Sequence, residues 1–393
     1  MPDKEKNMSN SRNSANMIYF DNSATTQPYK EVIELIAKLM SEEFGNSSSL
    51  HTLGVRAERI LEDNRAKLAA TIKAEPEELV FTSGGTESVN MALRGTAEVL
   101  KRSGNHIISS PVEHSASLES LKELERLGYE VEYLDVDEYG RILIDDLKAK
   151  LRKDTIMVNI MAVNNELGTI EPVIEAAHHI KANNKATIFH VDAVQAYGKI
   201  PINIRDLKAD LISFSAHKIH GPKGVGMLYM RKGTRLHPLM MGGGHERKHR
   251  SGTVNVPCIA GFGLAACIKT ERMKEDQINC GRIKKIMINE LNDSLGSKIR
   301  INSPEDGVDN ILNISFKGIK SETLLHFLEM QQIYVSSGSA CNSKKSAVSH
   351  VLKAVGIPRA WAEGAIRFSF GSLNTEDEAF IVTNAINEIM KKM

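Results

Sequence analysis

The stretch "DLISFSAHKIHGPKGVGMLYM", residues 210–230, decides how this chain is read. Two apolar runs, "DLISFS" and "VGMLYM", have the length and composition of buried strands. Between them lies a turn that carries Lys218 directly behind a serine, an alanine and a histidine. In open α/β sheets, sites gather at the carboxyl ends of strands, which makes Lys218 a candidate. A partly buried lysine loses proton affinity, and its free amine forms a Schiff base with a carbonyl. A surface lysine in a loop is the plain alternative. The glycines of "GPKGVG" do not have the spacing of a Walker loop.

Working outward, strands and helices alternate. "ELVFT" (78–82), "HIISS" (106–110), "EVEYLDV" (130–136), "TIMVNIMAV" (155–163) and "ATIFHVD" (186–192) read as strands. Residues 86–102, 115–128 and 172–183 read as helices between them. This βα alternation predicts an α/β fold with a mostly parallel central sheet flanked by helices on both faces. From about residue 255 the texture changes to a long helical stretch, the strands "NILNISF" and "IRFSF", and a final amphipathic helix. The expected organisation is a large domain over 31–254 and a smaller α+β domain over 255–393. Residues 17–30 are expected to pack back on the small domain. The polar residues 1–16 read as a disordered tail.

Composition narrows the function classes. The chain has 393 residues, 41% hydrophobic and 25% charged, with 50 basic and 49 acidic residues for a net charge of +1. That balance argues against nucleic acid as the direct partner. No apolar stretch approaches the roughly 20 residues that span a bilayer. The N-terminus lacks an apolar signal core, so a cytoplasmic protein without membrane contact is expected. The four cysteines, Cys258, Cys267, Cys280 and Cys341, form no CxxC pair. Neither a structural zinc site nor disulfides are expected. Cys258 and Cys267 read as packing residues, and Cys280 has no evident role. His237, His245 and His249 match no tight ligand pattern, so no metal is expected. Cys341 stands apart at the end of "SSGSAC" (336–341), a run of small residues that suits an exposed loop.

The strand ends carry the chemistry. After "VFT" comes "SGGTES", where Gly85 and Thr86 open a helix whose N–H groups form a phosphate cradle. After "ISS" comes His114 at a helix start. After "MAV" comes "NNELG" with Asn164, Asn165 and Glu166. After "FHV" come Asp192 and, three residues on, Gln195. Each signal has a bland reading: caps, Asn-rich turns, a structural ion pair. Together, a lysine, a strand-end aspartate and a phosphate cradle are the parts a protein supplies to pyridoxal 5′-phosphate. A carboxylate beside the pyridine nitrogen favours its protonated form, which draws electrons from the attached substrate.

These residues bring a resemblance into view. The chain resembles the cysteine desulfurases of the NifS/IscS type, in the class V aminotransferase group of fold-type I pyridoxal-phosphate enzymes. The likeness runs from "YFDNSATT" (19–26) to "IRFSFG" (366–371) and beyond. It is carried by "FGNSSSLH", "FTSGGTES", "VEHSAS", "NNELG", "HVDAVQ", "SFSAHKIHGPKGVG", "GGGHERKHRSGT" and "SSGSAC". The resemblance implies that Lys218 bears the cofactor, that His114 stacks on its ring and helps move protons, and that Asp192 pairs with the ring nitrogen. It implies that Gln195 meets the ring hydroxyl, and that Gly85, Thr86, Ser215 and His217 hold the phosphate. Thr253 would reach the phosphate of a neighbouring subunit, implying a homodimer. Arg367 would clamp the substrate carboxylate, with Asn165 beside cofactor and substrate. Cys341 would take sulfur from L-cysteine as a persulfide, releasing L-alanine, and pass it to an acceptor protein. That acceptor would be an iron–sulfur scaffold or an enzyme of tRNA thiolation. Two other readings stay open: a related lyase or aminotransferase such as a selenocysteine lyase, and a non-catalytic sulfur carrier or scaffold.

Overall fold

The computed structural model describes residues 17–337 and 348–393. Its strands, in chain order, are β1 (Ile18–Tyr19), β2 (Leu79–Thr82), β3 (His106–Ser109), β4 (Glu130–Tyr133), β5 (Thr155–Met161), β6 (Ile188–Asp192), β7 (Leu211–Ser215) and β8 (Gly226–Met230). There follow β9 (Ile299–Ile301), β10 (Ile311–Phe316), β11 (Ile333–Tyr334), β12 (Ser336–Ser337) and β13 (Ala365–Ser369).

Seven strands form the large sheet, in the order β2-β8-β7-β6-β5-β3-β4. β3 through β7 run parallel, as the βα alternation requires. β8 lies antiparallel between β7 and β2. The reason is chain length. A parallel return needs a crossover of a dozen or more residues, and only residues 216–225 separate β7 from β8. All seven residues of β5 are buried, as a central strand covered on both faces demands.

Polar residues inside this sheet are paired across strands. Asn159 Nδ2 on β5 donates to Ser109 Oγ on β3 at 2.9 Å. His190 on β6 bridges Asn159 Oδ1 at 2.6 Å and Ser213 Oγ at 2.8 Å. Burial pushes the His190 pKa down to about 3, so the ring is neutral. The row ties four neighbouring strands into one register, which sets their carboxyl ends side by side.

A second core surrounds the four-stranded sheet β12-β13-β10-β9. The helix Val256–Leu295 belongs to both cores. Val256, Ile259, Phe262 and Ala266 pack on the large one, whereas Cys280, Ile283, Met287 and Leu291 pack on the small one. Cys280 thus has a packing role that its polar neighbours in sequence conceal: they point outward while it points in, and burial pushes its thiol up to about 12.

The N-terminal segment divides its contacts. β1 pairs with β11, and Phe20 is buried in the small core. Residues beyond it turn instead to the loop after β7. Thr26 N–H donates to His217 O at 2.9 Å, and Tyr29 N–H to His220 O at 3.1 Å. Among the described residues, no helix is long and apolar enough to cross a membrane.

Candidate active site

The strand ends of the large sheet open into a cavity of about 230 Å³. Gly85, Thr86, His114, Asn165, Asp192, Gln195, Ser215, His217 and Lys218 all line it. Five chain-distant turns therefore need no conformational help to meet; strands in register deliver them to one edge.

The turn after β2 is built for close approach. Gly84 has φ +153°, in the region that favours glycine. A Cβ on Gly85 would come within 2.7 Å of Val194 Cγ2. The helix Gly85–Leu100 then starts with its first N–H groups lacking intrahelical acceptors and its positive dipole end at the cavity. Beside it, Ser215 Oγ is buried with no hydrogen-bond partner among the described residues. An unspent buried hydroxyl is costly unless a ligand meets it. Together, this cradle and the orphaned hydroxyl fit a phosphate.

Asp192 is buried at the end of β6 and accepts from Val194 N–H at 2.9 Å. Burial raises its pKa to about 6, against the lowering effects of that bond and of Lys218. A carboxylate in this state gains from a cation brought against it, as a protonated ring nitrogen would be. The donor set therefore fits pyridoxal 5′-phosphate at both its phosphate and its ring nitrogen.

His114 caps the helix Ser115–Arg126, its Nδ1 accepting from Ala116 N–H at 3.1 Å. With Nδ1 so used, the neutral ring carries its proton on Nε2. Burial, then the charges of Lys218, His350 and Arg367, push its pKa down to about 4. Burial and neighbouring lysines likewise push His217 to about 4.

Lys218 Nζ donates to the carbonyls of Ser23 at 2.5 Å and Ala24 at 2.8 Å. Those two acceptors were not picked out in the sequence. The signal was "YFDNSATT", which carries the resemblance but reads as a packing segment. Arg367, buried on β13, donates from Nη2 to Asp21 Oδ1 at 2.8 Å and from Nη1 to Asn165 O at 3.0 Å. Its Nε is buried without a partner. Asp21 also lay unassigned in the sequence. Arg367 is tied to the Asn165 turn rather than lining the cavity wall. Gln195 lines the cavity, and its Nε2 donates to Ser23 O at 2.9 Å. Thr253 is exposed and outside this cavity. Cys341 lies outside the described residues.

Known proteins share this arrangement. The family model for aminotransferase class-V matches residues 18–381. A cysteine desulfurase IscS from Dictyoglomus turgidum is 43% identical over 377 residues, covering 96% of this chain and 95% of that protein. A solved NifS-like protein superposes with a TM-score of 0.91 at 40% identity, over 96% of this chain and all of its own. The structure of SspA in complex with cysteine superposes with a TM-score of 0.79 at 32% identity, over 90% of this chain and 99% of its own. With the whole fold, the strand-end cavity and this breadth of identity in agreement, the chain belongs to the class V aminotransferase family, among its pyridoxal-phosphate-dependent cysteine desulfurases of the NifS/IscS type.

Proposed function

We propose that this chain takes sulfur from L-cysteine onto Cys341 as a persulfide and releases L-alanine, with the cofactor carried on Lys218. The observation that supports this most is the meeting of Lys218, buried Asp192 and the orphaned Ser215 hydroxyl around one cavity. L-Cysteine as substrate is supported by the structural relative SspA, solved in complex with cysteine.

When bound, pyridoxal 5′-phosphate supplies an electron sink for the bond broken at the substrate α-carbon. Gly85, Thr86, Ser215 and His217 would hold its phosphate. Asp192 would meet the ring nitrogen, and Gln195 the ring hydroxyl. Lys218 would be the base placed to take the substrate α-proton. His114, neutral and protonated at Nε2, gives and recovers a proton at the same cavity. Arg367, beside Asn165, would meet the substrate carboxylate by exchanging its contacts with Asp21 and the Asn165 carbonyl for it. The Cys341 thiolate attacks the substrate sulfur: the S–S bond forms, the C–S bond breaks, and its electron pair returns to the carbon skeleton, which is protonated to alanine.

In this reading the enzyme is a homodimer in which Thr253, exposed and away from its own cavity, serves the neighbouring site. Its acceptor is a protein of iron–sulfur assembly or tRNA thiolation, and its compartment is the cytoplasm. The large domain of 31–254 and small domain of 255–393 share the helix Val256–Leu295 at their boundary.

The test is mass spectrometry of the cofactor-loaded protein after incubation with L-cysteine. One added sulfur on the Cys341 peptide and stoichiometric alanine are expected. Cys341→Ser keeps the visible absorbance and loses the added sulfur. Unchanged cysteine turnover by Cys341→Ser would instead establish a lyase without transfer to protein.

A further inference from the structure

Lys199 lies on the far side of Gln195 from the cavity, lining a much smaller one. The chain leaves β6 through a turn in which Tyr197 N–H donates to Ala193 O at 2.9 Å and Lys199 N–H to Ala196 O at 3.0 Å. Gly198, at φ +70°, lets the backbone bend, and a Cβ there would meet Lys269 Cγ at 2.5 Å. The bend returns the Lys199 side chain to Gln195, four residues back. Gln277 Nε2 donates to Lys199 O at 2.7 Å and fixes the backbone at that point.

The amine of Lys199 donates to Gln195 Oε1. The Lys199 N–H meets the oxygen end of the amide, and a backbone carbonyl, which only accepts, meets the nitrogen end. At the other end Gln195 Nε2 donates to Ser23 O at 2.9 Å, the same carbonyl that Lys218 Nζ meets at 2.5 Å. Both ends of the amide are thus specified independently. Nε2 has two protons and meets one acceptor among the described residues, which leaves a second N–H for a ligand.

Lys199 has no carboxylate partner among the described residues, although its amine is enclosed. The charged and titratable groups around it are Lys218 and His220 from the turn after β7, Lys269, Asp276 and Cys280 from the helix Val256–Leu295, Asp309 before β10, and Arg367 from β13. Asp276, the near acid of that helix, is taken by Lys269 and Ser372. Burial, then the charges of Lys218, Lys269 and Arg367, hold the Lys199 amine well below the ordinary lysine range, and packing alone gives no reason to keep an amine there.

We propose that Lys199 is a positioning residue: it locks the Gln195 amide with its carbonyl turned away from the cofactor, so that Gln195 offers N–H to the cofactor's ring oxygen. This rests on the assignment of Gln195 to that oxygen. Donation to the ring oxygen disfavours the proton on the nitrogen that joins Lys218 to the cofactor. That proton sets the visible spectrum.

The test is a pH titration of visible absorbance on cofactor-loaded wild type, Lys199→Met and Lys199→Arg. Lys199→Met should raise the midpoint by about one pH unit, a tenfold change in proton affinity. Lys199→Arg, which keeps a donor to the amide oxygen, should stay closer to the wild-type midpoint than Lys199→Met. The KM for cysteine should change little. If Lys199→Met fails to fold, Lys199→Gln carries the same test, since it lacks the reach and the charge, and it too should titrate higher. A wild-type midpoint in either neutral variant overturns the inference. A loaded wild type with no visible band would overturn the proposed function instead, so the two failures are distinguishable.

Discussion

Lys218 separates two cavities of opposite character. On one side is the strand-end cavity of about 230 Å³, with buried Asp192 and, beside a helix N-terminus, a Ser215 Oγ that has no partner among the described residues. On the other is a space of about 20 Å³, room for little more than one water. There Lys269 meets Asp276 and Ser372, and Ser372 meets Tyr29 at 3.0 Å. The roomy cavity leaves the Ser215 hydroxyl unspent, whereas beside the tight one Lys269, Asp276, Ser372 and Tyr29 bond one another. The lesson is that unsatisfied groups around open space mark where a ligand completes the structure, while satisfied groups around little space hold the two cores together.

The contrast predicts opposite responses to mutation. Lys218→Ala should have the largest effect, removing the visible band and slowing alanine formation at least about 10³-fold. A coloured, active variant would break the comparison on its functional side. In the tight cavity, Lys269→Met leaves Asp276 buried without its cation and should cost about 3 kcal/mol of stability. Urea unfolding measures this, and turnover per folded molecule should stay close to wild type. Loss of turnover without loss of stability would mean that the tight cavity is part of the chemistry.

Asp192→Asn should keep cofactor binding but slow alanine formation by about 10²-fold, as the ring nitrogen loses its anionic partner. The smallest effect is expected at Glu113, whose Oε1 accepts from Met161 N–H at 2.6 Å. Burial, then the charges of Asp192 and Glu171, hold its carboxyl well above the ordinary 4.5. The folded state thus keeps a proton that the unfolded chain has already released. This contribution to stability is full below about pH 4.5 and is lost as pH rises toward the folded-state pKa. Glu113→Gln copies the protonated group, so its melting temperature should fall less than wild type as pH rises from about 4.5 through neutral. Parallel melting curves would show that Glu113 is ionised in the fold.

Much of the large domain could be read from the chain because its signals are local. Runs such as "TIMVNIM" announce a strand buried on both faces, and small residues before "TESVNMAL" announce a helix start. Residues placed at strand ends, Gly85, Thr86, His114, Asn165, Asp192, Gln195, Ser215, His217 and Lys218, converge because the topology rule needs only strand order and direction. Ser23, Ala24 and Asp21 escaped that reading. They lie nearly two hundred residues or more before their partners Lys218 and Arg367, and two of them act through backbone carbonyls that any residue type offers.

By itself, then, the sequence determined the α/β alternation, the lysine turn and the family motifs, since periodicity and turn chemistry act over a few residues. Only the tertiary structure decided that one helix serves two cores, that β8 runs against its neighbours, and that Lys199 grips Gln195 from behind. Those outcomes depend on which distant surfaces meet once apolar area is buried, and on which donor finds which acceptor there. Neither is written in any single stretch of the chain.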